Sequence, residues 1–368
     1  MRLTFDHMNK KSAQNIRIGF VGDVSIMHSA HDELMKDGPE EFSRKIWAPL
    51  MDCDLIIANL EAPVTDHDIC RDNKLYNCRL DRAVVDIFDE RFVLTIANNH
   101  MMDFGDQGLQ DTEAALSSAG IRYVGAGENQ SSAGAPVIAE VKGVKVGVIG
   151  AADARSNPSS EDSAGTFLAE LDTIESAING IRSRVDIVIV TVHAGIEFIS
   201  APSPFQVAFA NACRRAGADI VQYHHAHCIS GAVRDENCLI LYGTGNYVFP
   251  NLLPAGFKAW HRTAAWVTEV NARDGIASSD IRSLTIDKLG IPRLSTDKER
   301  QYTLKLVQRY NRRIRNKKLL ALWRIAEFIN PVYVRLCLVQ YAAMTKSSGI
   351  GAVIKAIRNG IVYQFKTD

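Results

Sequence analysis

Apolar runs of strand length punctuate the chain, and each stops at a polar residue of a narrow set of types. "IRIGFVGD" ends at Asp23, "DLIIANLE" (54–61) at Glu61, and "FVLTIANNH" (92–100) at Asn99 and His100. "DIVIVTVH" (186–193) ends at His193, and "ADIVQYHHAH" (218–227) ends in a histidine cluster. Runs rich in Val, Ile and Leu predict buried strands. Helical patterns lie between them. "DQGLQDTEAALSSA" (106–119) is followed by Gly120, and "SPFQVAFANACRRAG" (203–217) opens on Ser-Pro and closes on Gly217, the expected start and stop signals. "PVIAEVKGVKVGVIGA" (136–151) and "AAWVTEVNARDGIASSDIRSLTI" (264–286) read as hairpins around "KG" and "RDG". Strand–helix alternation with added hairpins predicts an α/β fold whose sheets are mixed.

After about residue 297 the pattern becomes helical and basic, with Pro331 interrupting it. Leu319, Leu322, Trp323, Ala326 and Ile329 recur at helical spacing. From Lys298 onward there are fifteen Lys/Arg and three Asp/Glu, a charge of +12; with 42 of each class in the whole chain, residues 1–297 carry −12. An acidic body with a basic appendage follows. The appendage reads either as a surface helix for an anionic membrane or protein partner, or as an extension packed on the main domain, which is the expectation. Its cluster Arg312, Arg313, Arg315, Lys317 and Lys318 could meet phosphates. No nucleic-acid reading motif accompanies it, so nucleic acid is not the expected partner. The seven cysteines form no CxxC pair and read as free thiols of a reducing compartment. The start lacks an apolar signal region and no run of about 20 apolar residues occurs. The expected place is therefore the cytoplasm or the inner face of the membrane.

Histidine is scarce, ten in 368 residues, yet three fall within 224–227. His225 and His227 stand at i and i+2, on one face of an extended strand; a loop would also let them chelate. Each polar residue has an ordinary alternative. Asp23 suits a helix cap, Asn98 and Asn99 suit turns, and the histidines suit a hydrogen-bonded core edge. Strand ends are where open α/β sheets gather their sites, so one shared site explains all of these residues together. Carboxylate and imidazole are ligand types for Zn, Mn or Fe.

The stretches "GFVGDVSIM", "DLIIANLEAPV", "TIANNHMMDFGDQGLQDTEAAL", "GIRYVGAG", "VTVHAGIEF", "AGADIVQYHHAH" and "LILYGTGNYVF" resemble, in order, the CapA (poly-γ-glutamate capsule, PGA_cap) family of the calcineurin-like metallophosphoesterase superfamily. The resemblance implies a four-layer αββα sandwich of two mixed sheets over residues 16–290, preceded by an extension (1–15) and followed by the basic helical tail (298–368). It implies two divalent ions (Mn, Fe or Zn). Asp23 and His227 would hold one, Asn99, His193 and His225 the other, and Glu61 would bridge. His100 would protonate the leaving group. Asp103 would either orient His100 or shape a turn with Gly105. Glu197 and Asn246 would line the substrate pocket. The implied function is a metal-dependent hydrolase of phosphoesters in capsule, poly-γ-glutamate or exopolysaccharide production. Its substrate would be a small molecule or polymer, with assembly proteins or a membrane surface meeting the tail. A non-catalytic accessory role in such an assembly is the alternative. Asp23-Val24-Ser25 stands where the wider superfamily has Asp-x-His, leaving one imidazole fewer. His224 is expected to point away from the ligands, in a supporting role.

Overall fold

A computed structural model of the chain describes residues 14–328 except 73, 75, 76, 236, 251–261 and 274. Most of the expected N-terminal extension, Ile329, Pro331 and the rest of the tail lie outside the described residues.

Two sheets stack face to face. The first holds β1 (Ile16–Val24), β2 (Leu55–Leu60), β3 (Phe92–Thr95) and β4 (Arg122–Val124), and later β13 (Asn246–Val248), β14 (Arg262–Asn271), β15 (Gly275–Ile286) and β16 (Pro292–Leu294). Its order is β16-β15-β14-β1-β2-β3-β4. The second holds β6 (Val137–Val141), β7 (Val144–Ala152), β9 (Ile187–His193), β10 (Ile220–His224), β11 (Ala232–Arg234) and β12 (Leu239–Leu241), in the order β11-β12-β10-β9-β7-β6. A short ribbon pairs β5 (Ala126–Gly127) with β8 (Gly165–Thr166). Both large sheets are mixed, as the hairpin patterns predicted.

Period-two alternation sorts the apolar side chains into layers. Ile16, Ile18, Phe20, Leu55 and Ile57 pack between the sheets against Val146, Val148, Ile187 and Ile189. The alternate positions Ile56, Ala58 and Leu94 face outward onto Phe42, Ile46 and Trp47 of α2 (Pro39–Trp47) and Leu109 of α3 (Gly105–Ser118). Across the molecule, Val188, Val190 and Val192 meet Ile174 and Ile178 of α5 (Leu171–Arg182) and Phe209 and Cys213 of α6 (Pro204–Ala216). The layers run helix, sheet, sheet, helix. Each fully buried Ile or Phe contributes about 1.5–3 kcal/mol to holding them together. α1 (Ser29–Asp37) and α4 (Gln130–Ala133) are short flanking helices.

Local signals explain the element ends. Ser203 caps α6 through the amide of Gln206, Gln206 returns a bond to Ser203, and Gly217 closes the helix at φ 101°, a left-handed conformation that glycine tolerates. Lys142 and Gly143 both take positive φ (51° and 80°) between β6 and β7, the geometry of a tight hairpin turn. The six described cysteines are unpaired.

The described tail forms α7 (Asp297–Ile314) and α8 (Lys317–Phe328). Val307 enters the core between the sheets, and Asn311 Oδ1 accepts the Ala232 N–H of β11 at 2.7 Å. Leu320 and Trp323 pack on Ile196, Ile199 and Ala201. Glu327 Oε2 accepts the Ala201 N–H at 3.0 Å, its Oε1 accepts the Trp323 indole N–H at 2.7 Å, and Arg324 Nε donates to the Pro202 carbonyl at 2.6 Å. The apolar residues of α8 do not form the single stripe expected from spacing. Trp323 is buried, whereas Leu319, Leu322 and Ala326 face solvent. Leu320, Trp323 and Glu327 make up the docked face because they recur at i, i+3 and i+7.

Candidate metal centre

Strand register does much of the positioning. Asp23 lies opposite Asn59 across β1 and β2, and opposite Asn246 across β1 and β13. His193 lies opposite His224 across β9 and β10. β14 covers β1 only as far as Phe20, after which β13 takes over in parallel. Gly22 permits that crossing: a Cβ there would lie 1.7 Å from the Gly245 carbonyl oxygen.

Six expected ligands come together. Asp23 Oδ2 lies 3.2 Å from His227 Nδ1, and Glu61 Oε1 lies 3.5 Å from His227 Nε2 and 3.9 Å from His193 Nε2. His193 Nε2–H donates to Asn99 Oδ1 at 2.8 Å. The ring centroids of His193 and His225 are 4.7 Å apart, and those of His225 and His227 are 6.3 Å apart. Asp23, Glu61 and the histidines at 193, 225 and 227 are all buried. The histidine pair does not reach this place on an extended strand. β10 ends at His224, and His225 and His227 take left-handed φ of 85° and 54°. Phe198, whose ring packs near His227, does the same at φ 65°. Non-glycine residues held in this region mark strain of the kind that gathers at functional sites.

His100 and Asp103 form a pair beside the cluster. His100 Nδ1–H donates to Asp103 Oδ2 at 2.7 Å, so Asp103 orients the ring, one of its two expected roles. Lys74 contacts Asp103 Oδ1, donates to the Asn99 carbonyl at 2.6 Å and lies 3.2 Å from His100 Nδ1. The Cys78 N–H also bonds Asp103, at 2.8 Å. Burial pushes the Cys78 thiol up to about 12, leaving it protonated and unreactive.

Asn246 differs from its expected pocket-lining place. It is fully buried, and its Oδ1 accepts from His227 Nδ1–H at 2.8 Å, so it orients that imidazole. Glu197 adds its charge to the surroundings of Glu61 and His227. His224 was expected to point away, yet its Nδ1–H donates to Asp23 Oδ1 at 3.0 Å.

Asn59 is a contributor that the sequence did not single out, and Asn98, expected in a turn, supports it. Asn59 Nδ2 lies 2.9 Å from Asp23 Oδ1, 3.2 Å from Glu61 Oε2 and 3.3 Å from His193 Nδ1. Asn98 holds Asn59 Oδ1 at 3.1 Å. The available signal was an amide inside the otherwise apolar run "LIIANL".

The charges are crowded. Burial pushes Asp23 up, but hydrogen bonds from His224 and His227 outweigh it and hold the carboxyl well below its usual range. Burial, and then the charge of Asp23, holds Glu61 well above its usual range. Burial, reinforced by His225, keeps His193 well below the usual imidazole range; burial and the Arg155 charge do the same to His225. His227 is lifted to about 10: burial opposes its charge, and Glu61 and Asp23 overcome it. Crowding of two carboxyls in a buried site raises the cost of charging both, a cost that the neighbouring imidazoles offset. Glu61 Oε1 and His225 Nδ1 have no hydrogen-bond partner although buried, and Asp23 Oδ2 lies against the His227 ring, 3.2 Å from Nδ1. Buried acceptors without donors, on carboxylate and imidazole, fit divalent cations.

The description "Bacterial capsule synthesis protein PGA_cap" matches residues 17–251. The chain belongs to the PGA_cap family. Among PGA_cap relatives, the capsule biosynthesis protein CapA of Bacillus anthracis is 30% identical over 305 residues, covering 78% of this chain and 72% of the relative. The PGA biosynthesis protein CapA of Bacillus subtilis (strain 168) is 28% identical, covering 66% and 64%. A probable polyglutamine synthesis accessory protein of Mycobacterium tuberculosis is 31% identical, covering 53% and 55%. Among solved structures, a phosphatase from Mycoplasma pneumoniae gives a TM-score of 0.48 at 13% identity, over 79% of this chain and 98% of that one.

Proposed function

We infer that the chain is a metal-dependent hydrolase acting on phosphoester bonds in the synthesis of a poly-γ-glutamate or polysaccharide capsule. One observation carries this reading: Asp23, Glu61, His193, His225 and His227, all buried, converge with the half-buried Asn99 in one cluster, with donor-less acceptors among them, beside an oriented His100. Asp23 and His227 would hold one divalent ion, Asn99, His193 and His225 a second, and Glu61 would face both. Such ions, when bound, polarise a phosphoryl oxygen and make hydroxide available near neutral pH. The residues around them do the rest. Asp103 fixes His100 through Nδ1, which leaves Nε2 to deliver a proton to the leaving oxygen. Lys74 balances the charge of Asp103. Asn246 and His224 hold His227 and Asp23 in place, as supporting partners of metal ligands do.

A second reading has its own observation. Ser25 is buried where the wider superfamily carries an imidazole, and its hydroxyl has no hydrogen-bond partner. A site that binds ions without turnover would serve an assembly complex as a platform. The two are separated by measuring metal content and then turnover of generic phosphomonoesters and phosphodiesters with added Mn²⁺. The hydrolase reading expects bound metal and a turnover that Asp23→Ala or His225→Ala lowers at least ~100-fold. Metal retained with no turnover across a broad panel would leave the platform reading standing.

A further inference from the structure

The second face of α8 is not explained by the fold. Its docked face carries Leu320 and Trp323. Its outer face carries Leu319, Leu322 and Ile325, which are 38%, 63% and 47% exposed. A helix that is apolar on both sides is normally covered on both.

Charge narrows what covers it. Residues 300–326 contain nine Lys/Arg and no Asp/Glu. Arg312, Arg315, Lys317 and Lys318 are exposed around the N-terminal end of α8. The one acid of the helix, Glu327, is turned inward onto Ala201. A second copy would bring an equally basic face against this one. Residues 329–368 carry five Lys/Arg and one Asp, so they bring no acidic countercharge to it. Exposed leucine and isoleucine flanked by cations, without any outward acid, match the surface of an anionic bilayer. Among the described residues no helix is long and apolar enough to cross a membrane.

We propose that the outer face of α8 docks on an anionic lipid surface, with Leu319, Leu322 and Ile325 entering the headgroup boundary and Arg312, Arg315, Lys317 and Lys318 meeting lipid phosphates. The opposite face still grips the stretch after β9, so docking holds the whole sandwich at the bilayer. The proposal stands whether or not the metal centre turns over substrate.

The test is co-sedimentation of the full chain with phosphatidylglycerol/phosphatidylcholine vesicles and with phosphatidylcholine vesicles alone. Binding at least ten-fold tighter to the anionic vesicles is expected, weakening as salt is raised. The combined L319E, L322E and I325E variant should bind at least ten-fold less while its thermal midpoint and metal content stay unchanged. Leu322→Ser alone provides a milder version should the triple change disturb folding. Equal binding to neutral vesicles, no binding at all, or undiminished binding by the folded variants would overturn the proposal. So would a dimer in sedimentation velocity that the variants dissolve without any change in vesicle binding.

Discussion

Two glutamates, Glu61 and Glu327, are enclosed in opposite ways. Glu327 gives both carboxyl oxygens to donors, the Ala201 N–H and the Trp323 indole. Glu61 gives only Oε2, to Asn59, and leaves Oε1 without a hydrogen bond among imidazoles. Satisfied burial is how a fold fastens one element to another. Unsatisfied burial of a carboxyl beside a second carboxyl is how a site keeps capacity for a cation. The α8 attachment is architecture; the strand-end cluster is equipment.

The strongest way to break that contrast is Asn59→Ala. Loss of the amide shared by Asp23 and Glu61 should weaken divalent-metal binding about 10–100-fold and lower metal-free stability by about 1–3 kcal/mol. Isothermal titration with Mn²⁺ and thermal melts check both. A stability loss with metal uptake intact would make the cluster ordinary packing, like Glu327.

Next in size is the pH response of the tail. Burial pushes Glu327 up to about 7, against hydrogen bonds from Ala201 and Trp323 that pull it down. An acid whose folded-state value is raised favours the fold fully below its usual 4.5 and loses that contribution as pH rises through about 7. Allowing for partial exposure, the loss is on the order of 2 kcal/mol between about pH 4.5 and 8. Trp323 emission during denaturation should follow it, and Glu327→Gln should flatten the response. A wild-type midpoint indifferent to pH in that window would remove the architectural half of the comparison.

The smallest expected effect belongs to Lys74→Met. It should lower kcat for a phosphoester about ten-fold with KM unchanged, partly restored by Lys74→Arg, because Lys74 acts on His100 through Asp103. An altered KM alone would place Lys74 in substrate binding.

Much of this was legible in the chain. Strands buried on both faces are continuous apolar runs, so β1, β2, β9 and β10 stood out, and polar residues at their ends stood out against them. The N-terminal Ser-Pro and C-terminal Gly217 announced α6. What remained hidden depends on long-range pairing or on single torsions. Asn59 reads as one polar residue in a strand until register sets it beside Asp23. His224 turns toward Asp23 because β10 stops there and the chain leaves through a left-handed His225. Helical spacing revealed that α8 is apolar but not that it has two such faces, since only the docked sandwich distinguishes Leu320 from Leu319.

The pairing of Asp23 with Asn246 has a consequence for biogenesis. The first and last contributors to the cluster are separated by nearly the whole domain, and β13 reaches β1 only after every other strand that feeds the cluster has been made. A nascent chain that stops short of Asn246 lacks the partner that orients His227. Long-range closure of this kind is slow relative to local helix formation, so completion of the cluster belongs to the end of folding, and truncated products emerge with it unfinished.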